Sequence, residues 1–274
     1  MTPADIAAGM RLKDIAGWNQ TGTDWERFLR TSPEGCFVAE VDGKVVGTAT
    51  TIVYGGRLAW IGMVLVDPDY RGRGIGTELL ERTVEYLDAR RVPTMKLDAT
   101  PQGKSIYARL GFVAEYEIER WELCRPSGSA TAPAASAAVE LEEILRVDRD
   151  IFGADRSELL RSLDREAPAF TLATHVPGRL TGYALGRRGS RADQLGPWMA
   201  RDEASARELL EEFLRRSGRE TVFVDCLREN PFARRVLCQH GFQFTRPLTR
   251  MYRGPNTHPG RPELLCAALG PEFG

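Results

Sequence analysis

Two β-rich runs, KVVGTATTIVY (Lys44 to Tyr54) and LAWIGMVLV (Leu58 to Val66), flank Gly55-Gly56 and predict a hairpin. From Gly74 to Arg90 the apolar residues Leu79, Leu80, Val84 and Leu87 recur at helical spacing, which predicts an amphipathic helix. A short strand follows at Thr94 to Asp98. A short helix at Ser105 to Leu110 then ends at Gly111, the residue type that most easily takes a left-handed cap, and Phe112 to Leu123 reads as another strand. The segment RPSGSATAPAASAA (Arg125 to Ala138) carries no large apolar residue and reads as a linker. Beyond it the order recurs: a helical segment, strands at Phe170 to His175 and Leu180 to Gly186, a helix at Glu203 to Arg216 and a strand at Thr221 to Leu227. A shift of 130 residues places Leu79-Leu80-Glu81 on Leu209-Leu210-Glu211, Pro101 on Pro231 and Gly111-Phe112 on Gly241-Phe242 without a gap. The pattern predicts two copies of one α/β fold, old enough for most side chains to have diverged.

Composition narrows the function classes. The 274 residues are 42% hydrophobic and 27% charged, with 37 Lys and Arg against 38 Asp and Glu, an ordinary globular balance whose net charge of -1 draws the chain to neither nucleic acid nor anionic lipid. The longest apolar run, Leu58 to Val66, falls far short of the ~20 residues a membrane-spanning helix needs. The opening MTPADIAAGMRLKD does not read as a secretory signal. Cys36, Cys124, Cys226, Cys238 and Cys266 are scattered and never form a CxxC pair, and His175, His240 and His258 are far apart. The expectation is a cytoplasmic protein with reduced thiols and no metal.

The chemistry concentrates in VDPDYRGRGIGTELL (Val66 to Leu80), where a strand runs through Asp67-Pro68 into a glycine-rich turn and a helix. Gly72, Gly74 and Gly76 let successive backbone amides close on an anion at the positive end of the helix, and Arg71 and Arg73 add full charges. A nucleoside-triphosphatase P-loop would need GK followed by Ser or Thr, and the dinucleotide fingerprint needs G-x-G-x-x-G. Neither fits, which leaves a pyrophosphate loop of another kind.

With Arg71, Gly74 and Gly76 matching Q/R-x-x-G-x-G/A, the sequence resembles the GNAT N-acetyltransferases. The resemblance implies two domains, each a mixed, mostly antiparallel sheet flanked by helices: a catalytic domain at 1–124, the linker at 125–138, a degenerate copy at 139–253 and a tail at 254–274. It implies acetyl-coenzyme A as cosubstrate, with Val64, Leu65 and Val66 along the pantetheine arm and Arg71, Gly72, Arg73, Gly74, Ile75, Gly76 and Thr77 around the pyrophosphate. A backbone amide near Val64 would polarise the thioester carbonyl. Tyr107, in SIYARLGF with Gly111 and Phe112, matches the family's Y-x-x-x-G-F. It is the implied general acid for the departing thiolate, with a core tyrosine as the alternative. Thr100 stands where an Asn is frequent.

A lysine-like amine has a pKa near ~10.4 and must lose a proton before it attacks. Many relatives place a Glu on the strand before the loop, whereas Trp60 to Val64 holds no acid. Asp98 and Glu117 are candidates against a plain surface role, Asp67 reads as a turn residue, and the base stays unassigned. Trp18 and Asn19, with Trp25 nearby, fall where the family's first two helices cover the acceptor, and read equally as pocket or core. The family's first strand is expected to be shortened or absent. In the second half RDEASA (Arg201 to Ala206) replaces the loop, with two acids and no glycine, and Leu237 replaces Tyr107. That half is expected to bind no coenzyme. The tail's PELLCAAL is apolar enough to dock on the body. The reading is an N-acetyltransferase acting on a small-molecule or peptide amine, as a monomer or homodimer. An acetyl-coenzyme A sensor without turnover is the alternative, and transfer of a longer acyl group also stays open.

Overall fold

The structure is a computed structural model and describes residues 1–126 and 140–274, so all but Arg125 and Pro126 of the expected linker lie outside the described residues. The chain folds as two units. One comprises Met1–Ala114, Met251–Thr257 and Glu272–Gly274, and the other Glu115–Arg250 and His258–Pro271.

In the first unit, helix α1 (Ile6–Ile15) is followed by α2 (Gly22–Thr31), whose start is fixed by a capping box between Thr21 and Asp24. Gly9 on α1 makes room for the wholly buried Trp25 of α2, because a Cβ there would lie 2.9 Å from the indole. No strand precedes α1 among the described residues. Strands β1 (Phe37–Val41), β2 (Lys44–Tyr54) and β3 (Leu58–Val66) run antiparallel. Helix α3 (Ile75–Ala89) returns the chain to β4 (Thr94–Ala99), parallel to β3, and α4 (Lys104–Arg109) follows. One sheet face, with Ala59, Ile61 and Leu97, packs on Leu80 and Leu87 of α3. Helices α1 and α2 pack on β2, and α1 also on β3. By strand alternation Trp60 and Gly62 point away from the α3 face.

Two later segments complete this unit. Met251–Thr257 lies along β4, where Thr94 donates to Pro255 O at 2.6 Å and Arg253 pairs with Asp88 at 2.9 Å. Phe273 is wholly buried, stacked on Phe28 with ring centroids 4.8 Å apart, and its carbonyl accepts from Tyr54 Oη at 2.8 Å.

The second unit begins within β5 (Val113–Cys124) and contains α5 (Leu141–Phe152), α6 (Ser157–Glu166), β6 (Leu172–Val176), β7 (Arg179–Arg188), β8 (Asp193–Ala200), α7 (Glu203–Arg216), β9 (Thr221–Leu227) and α8 (Ala233–Gln239). Strand β10 (Gln243–Arg253) ends in the first unit, and β11 (Leu265–Ala268) comes from the tail. The sequence grouped β5 with the first half, yet Ile118 to Cys124 pair antiparallel with Leu227 to Thr221 of β9, and Arg120 holds Asp225 through two bonds of 2.6 and 2.8 Å. No helix among the described residues is long and apolar enough to cross a membrane.

Candidate active site

The site region is created by one extra residue in β3. Thr48 pairs with Leu65 and Thr50 with Gly62, so β3 carries three steps against two on β2, and the surplus is taken up by Met63 at φ +51°. Such a conformation costs a non-glycine residue about 1–3 kcal/mol and must be held by its surroundings. Thr48 Oγ1 donates to Met63 O at 2.8 Å and Thr50 Oγ1 to Gly62 O at 3.1 Å, which ties the bulge to β2. Pairing between β3 and β4 covers only Leu58 to Trp60 with Thr94 to Lys96. Beyond it the strands part, and the β4-facing edge of Ile61 to Val66 has no strand partner among the described residues.

The unpaired edge of β3 leads to the glycine-rich turn. Asp67 caps the short Pro68–Tyr70 turn by accepting from Asp69 N, as the sequence suggested, and also pairs with Arg11 at 2.7 Å, which holds its carboxyl below the usual range. Arg71 donates to Val66 O at 3.1 Å. Arg73 donates to Asp69 O at 3.1 Å and lies over the Tyr70 ring. Gly72 and Gly74 have φ of +75° and +84°, and a Cβ at either would meet nothing within 4 Å. Gly74 is the N-cap of α3 and supplies no side-chain cap, so the amides of the first turn, at Ile75, Gly76 and Thr77, are left to an external acceptor. This arrangement fits a pyrophosphate: an amide-lined helix start, two guanidinium groups and no side-chain carboxylate in the cap.

Tyr107 sits on α4, and its ring meets Phe112 edge-on at 6.2 Å. Tyr107 and Val64 pack against the same apolar cluster, formed by Ile61, Leu97, Ala99 and Phe112, where β3 and β4 diverge. Desolvation pushes the Tyr107 phenol up to about 12, so it keeps its proton at neutral pH. Thr100 Oγ1 accepts from Gly103 N at 3.3 Å at the entry to α4. Trp18 is half-buried in the turn after α1, Asn19 is buried, and Trp25 is a core residue. Asp98 lies partly exposed on β4. Glu117 belongs to the second unit, where Thr249 donates to it at 3.1 Å.

The second unit repeats the backbone device and closes it. Ala184 pairs with Trp198 and Gly186 with Leu195, which is again one extra residue, now in β8. Strands β8 and β9 pair only from Asp193 to Leu195 and then part. Into that gap runs β11, with Ala267 opposite both Trp198 and Cys226. At the start of α7 Asp202 caps the helix by accepting from Ser205 N at 2.8 Å, and Glu203 is held by Arg207 at 3.1 Å and by Arg235 at 3.2 Å. Leu237 is wholly buried where α4 has Tyr107. Phe242 N donates to Leu237 O just as Phe112 N donates to Tyr107 O, both at 3.1 Å. Sequence reading missed β8, whose Gly196-Pro197 resembles a turn, and left β11 as a docking tail. It also missed the role of Gly62, although a glycine within a strand signals a bulge or a close backbone approach.

Two family profiles match the chain: Acetyltransferase (GNAT) family over residues 12–112 and Acetyltransferase (GNAT) domain over residues 144–266. A holothin acyltransferase of Pseudoalteromonas sp. (strain SANK 73390) is 26% identical over 244 residues, covering 86% of this chain and 81% of its own. An acetyltransferase of Sodalis glossinidius is 38% identical over 107 residues, 37% of this chain and 70% of its own. Among solved structures, a Pyrococcus horikoshii protein assigned to the acetyltransferases superposes with a TM-score of 0.82 at 25% identity, covering 100% of this chain and 94% of its own.

Proposed function

The chain belongs to the GNAT family of acetyltransferases, and from that premise we propose that its first unit moves an acetyl group from acetyl-coenzyme A to a primary amine of a small molecule or peptide by direct attack in a ternary complex. The observation that carries this reading is the uncapped start of α3 at Gly74, at the end of a strand edge that leads back to Tyr107. The coenzyme would supply an activated acetyl thioester. Amides at Ile75, Gly76 and Thr77, with Arg71 and Arg73, would bind its pyrophosphate. The free edge of Val64 to Val66 would pair with the amides of the pantetheine arm, as β11 pairs in the corresponding gap of the second unit. The backbone N–H near Val64 would face the thioester oxygen, and Tyr107 would give its proton to the departing sulfur.

Trp18 and Asn19, between α1 and α2, are assigned to the acceptor side. One coenzyme per chain is expected, because the second unit spends its helix start on Asp202 and fills its strand gap with β11. Free-thiol release from acetyl-coenzyme A with a panel of primary amines tests the reading. Amine-dependent release at a rate well above the hydrolytic background is expected. Coenzyme binding without release from any amine would make the unit a sensor instead.

A further inference from the structure

Two glycines of the first unit give up the space of a side chain to a neighbour beside residues of the site. At Gly62 that space is taken by the tail, since a Cβ would fall 2.8 Å from Glu272 O. At Gly103, the N-cap of α4, it is taken by the ring of Tyr107: a Cβ would fall 2.8 Å from Tyr107 Cε2 and 3.5 Å from Cζ, the carbon that bears the hydroxyl. The approach follows from helix geometry. Tyr107 N donates to Gly103 O at 3.2 Å, and a helical side chain leans toward the N-terminus over the residue four positions back. Thr100 fixes the turn that presents Gly103, because its carbonyl accepts from Gly103 N at 3.0 Å and from Lys104 N at 3.1 Å, and its Oγ1 accepts from Gly103 N at 3.3 Å. The phenol is thus held by the bare backbone of Gly103 and by the edge-on contact with Phe112.

The backbone does not itself require glycine at this place. Gly103 has φ -78° and ψ -25°, which any residue adopts. The second unit shows the same turn without the ring. A shift of 130 residues places Asn230 on Thr100, Ala233 on Gly103 and Leu237 on Tyr107, and Asn230 Oδ1 accepts from Ala233 N at 2.9 Å. Ala233 and Leu237 are both wholly buried. The methyl group is present where the residue four positions on is leucine and missing where that residue is the tyrosine.

We infer that Gly103 is a positioning residue for the general acid: its missing side chain lets the Tyr107 ring settle over the turn and so sets where the hydroxyl stands. The inference rests on the proton-donor role proposed for Tyr107 above. An alanine would have to drive the ring back by about 0.6 Å to regain an ordinary contact of 3.4 Å. The obstacle is the far end of a side chain, so the cost falls on the place of the ring and little on the fold. Misplacing a reacting group by about 1 Å costs up to roughly 100-fold in rate, so a loss of roughly 10-fold is expected here.

The test compares Gly103→Ala, Tyr107→Phe and the double variant with the parent full chain, using acetyl-coenzyme A and n-butylamine. Melting curves, coenzyme titrations and a crystal structure of Gly103→Ala accompany the kinetics. Gly103→Ala should lower turnover by roughly 10-fold, keep coenzyme affinity within about twofold and melt within about 2 °C of the parent. Its crystal structure should show the Tyr107 ring displaced by about 0.5 Å or more, with the backbone of residues 100–107 in place. Added to Tyr107→Phe, the same substitution should change turnover by less than about twofold, because no hydroxyl remains to be misplaced. A ring that stays in place, or parental turnover in Gly103→Ala while Tyr107→Phe loses it, overturns the inference and leaves Tyr107 its role. Equal losses from Gly103→Ala in both backgrounds, or a loss that follows a fall in melting temperature or coenzyme affinity, overturn it as well and make Gly103 a support of the α4 turn. Parental turnover in Tyr107→Phe overturns the proton-donor reading, and a parent chain that releases no thiol with butylamine or any other amine of the panel overturns the amine-transfer reading; the inference falls with either.

Discussion

The starts of α3 and α7 occupy corresponding places and are capped in opposite ways, by a left-handed Gly74 and by an extended Asp202 whose side chain accepts from the helix. Each follows a strand with one surplus residue, and each begins beside a gap between parallel strands. At α3 the cap is Gly74, without a side-chain acceptor; Arg71 and Arg73 precede it, and Glu78 stands at the end of the first turn. At α7 the cap is Asp202, the next residue is Glu203, and Arg207 and Arg235 already hold that carboxylate. A helix start attracts one anion well; when the chain supplies it, an external one gains little and meets like charge. The strand gaps differ in the same sense, since β11 pairs on both sides in the second unit while β3 keeps a free edge. In the second unit the protein's own groups occupy the helix start and the strand gap that stay open in the first.

The largest effect should come from deleting Gly254–Gly274, which opens the β8–β9 gap and strips Phe273 from the first unit. Losing one buried Phe and one buried Leu costs about 3–5 and 2–5 kcal/mol respectively, comparable with a whole domain's stability of about 5–15 kcal/mol. The truncated chain is expected to be insoluble or to melt far below the parent. A soluble, fully active truncation would show that both units stand without the tail.

Tyr107→Phe should lower turnover by roughly 100-fold with little change in coenzyme affinity. Steady-state kinetics at saturating amine, with a melting curve, checks this; near-parental turnover would make Tyr107 a packing residue like Leu237. In the second unit, Asp202→Ala should cost about 1 kcal/mol through loss of the α7 cap and leave turnover untouched. A fall in activity without a fall in melting temperature would mean that α7 takes part in the chemistry.

The smallest effect concerns acid. The Arg235 guanidinium holds the Glu203 carboxyl below the ordinary Glu value of 4.5, so the pair stabilises the fold above that value and the contribution is lost as pH falls through the lower folded one. Glu203→Gln should therefore narrow the gap between neutral and pH 3 melting temperatures slightly, as expected of a solvent-screened pair. An unchanged gap would remove Glu203 from the seal.

The sequence displayed what is local. Gly111 announced a left-handed cap, and it and Gly241, its counterpart 130 residues on, both have positive φ, +84° and +80°. Leu79-Leu80 and Leu209-Leu210 announced buried helix faces, and all four are buried. The glycines of Arg71 to Gly76 announced a tight turn into a helix, and Gly72 and Gly74 have positive φ, +75° and +84°. What stayed hidden depends on distant pairing. β5 follows α4 in sequence but pairs with β9, and Gly196-Pro197 hid β8, whose Gly196 leaves room for the Ala268 carbonyl. Glu272 and Gly62 are 210 positions apart, and no spacing rule joins them. Gly62 in LAWIGMVLV signals a bulge or a close approach without telling which or where, since the surplus residue exists only relative to β2.

The central claim, that the first unit alone holds the coenzyme, is tested most directly by calorimetric titration of the full chain with acetyl-coenzyme A, beside Gly74→Glu combined with Gly76→Glu. The expected result is about one site per chain, abolished by the double substitution because carboxylates then occupy the anion's place and position 74 is held at a φ that favours glycine. A stoichiometry near two, or binding that survives the double substitution, would contradict the assignment.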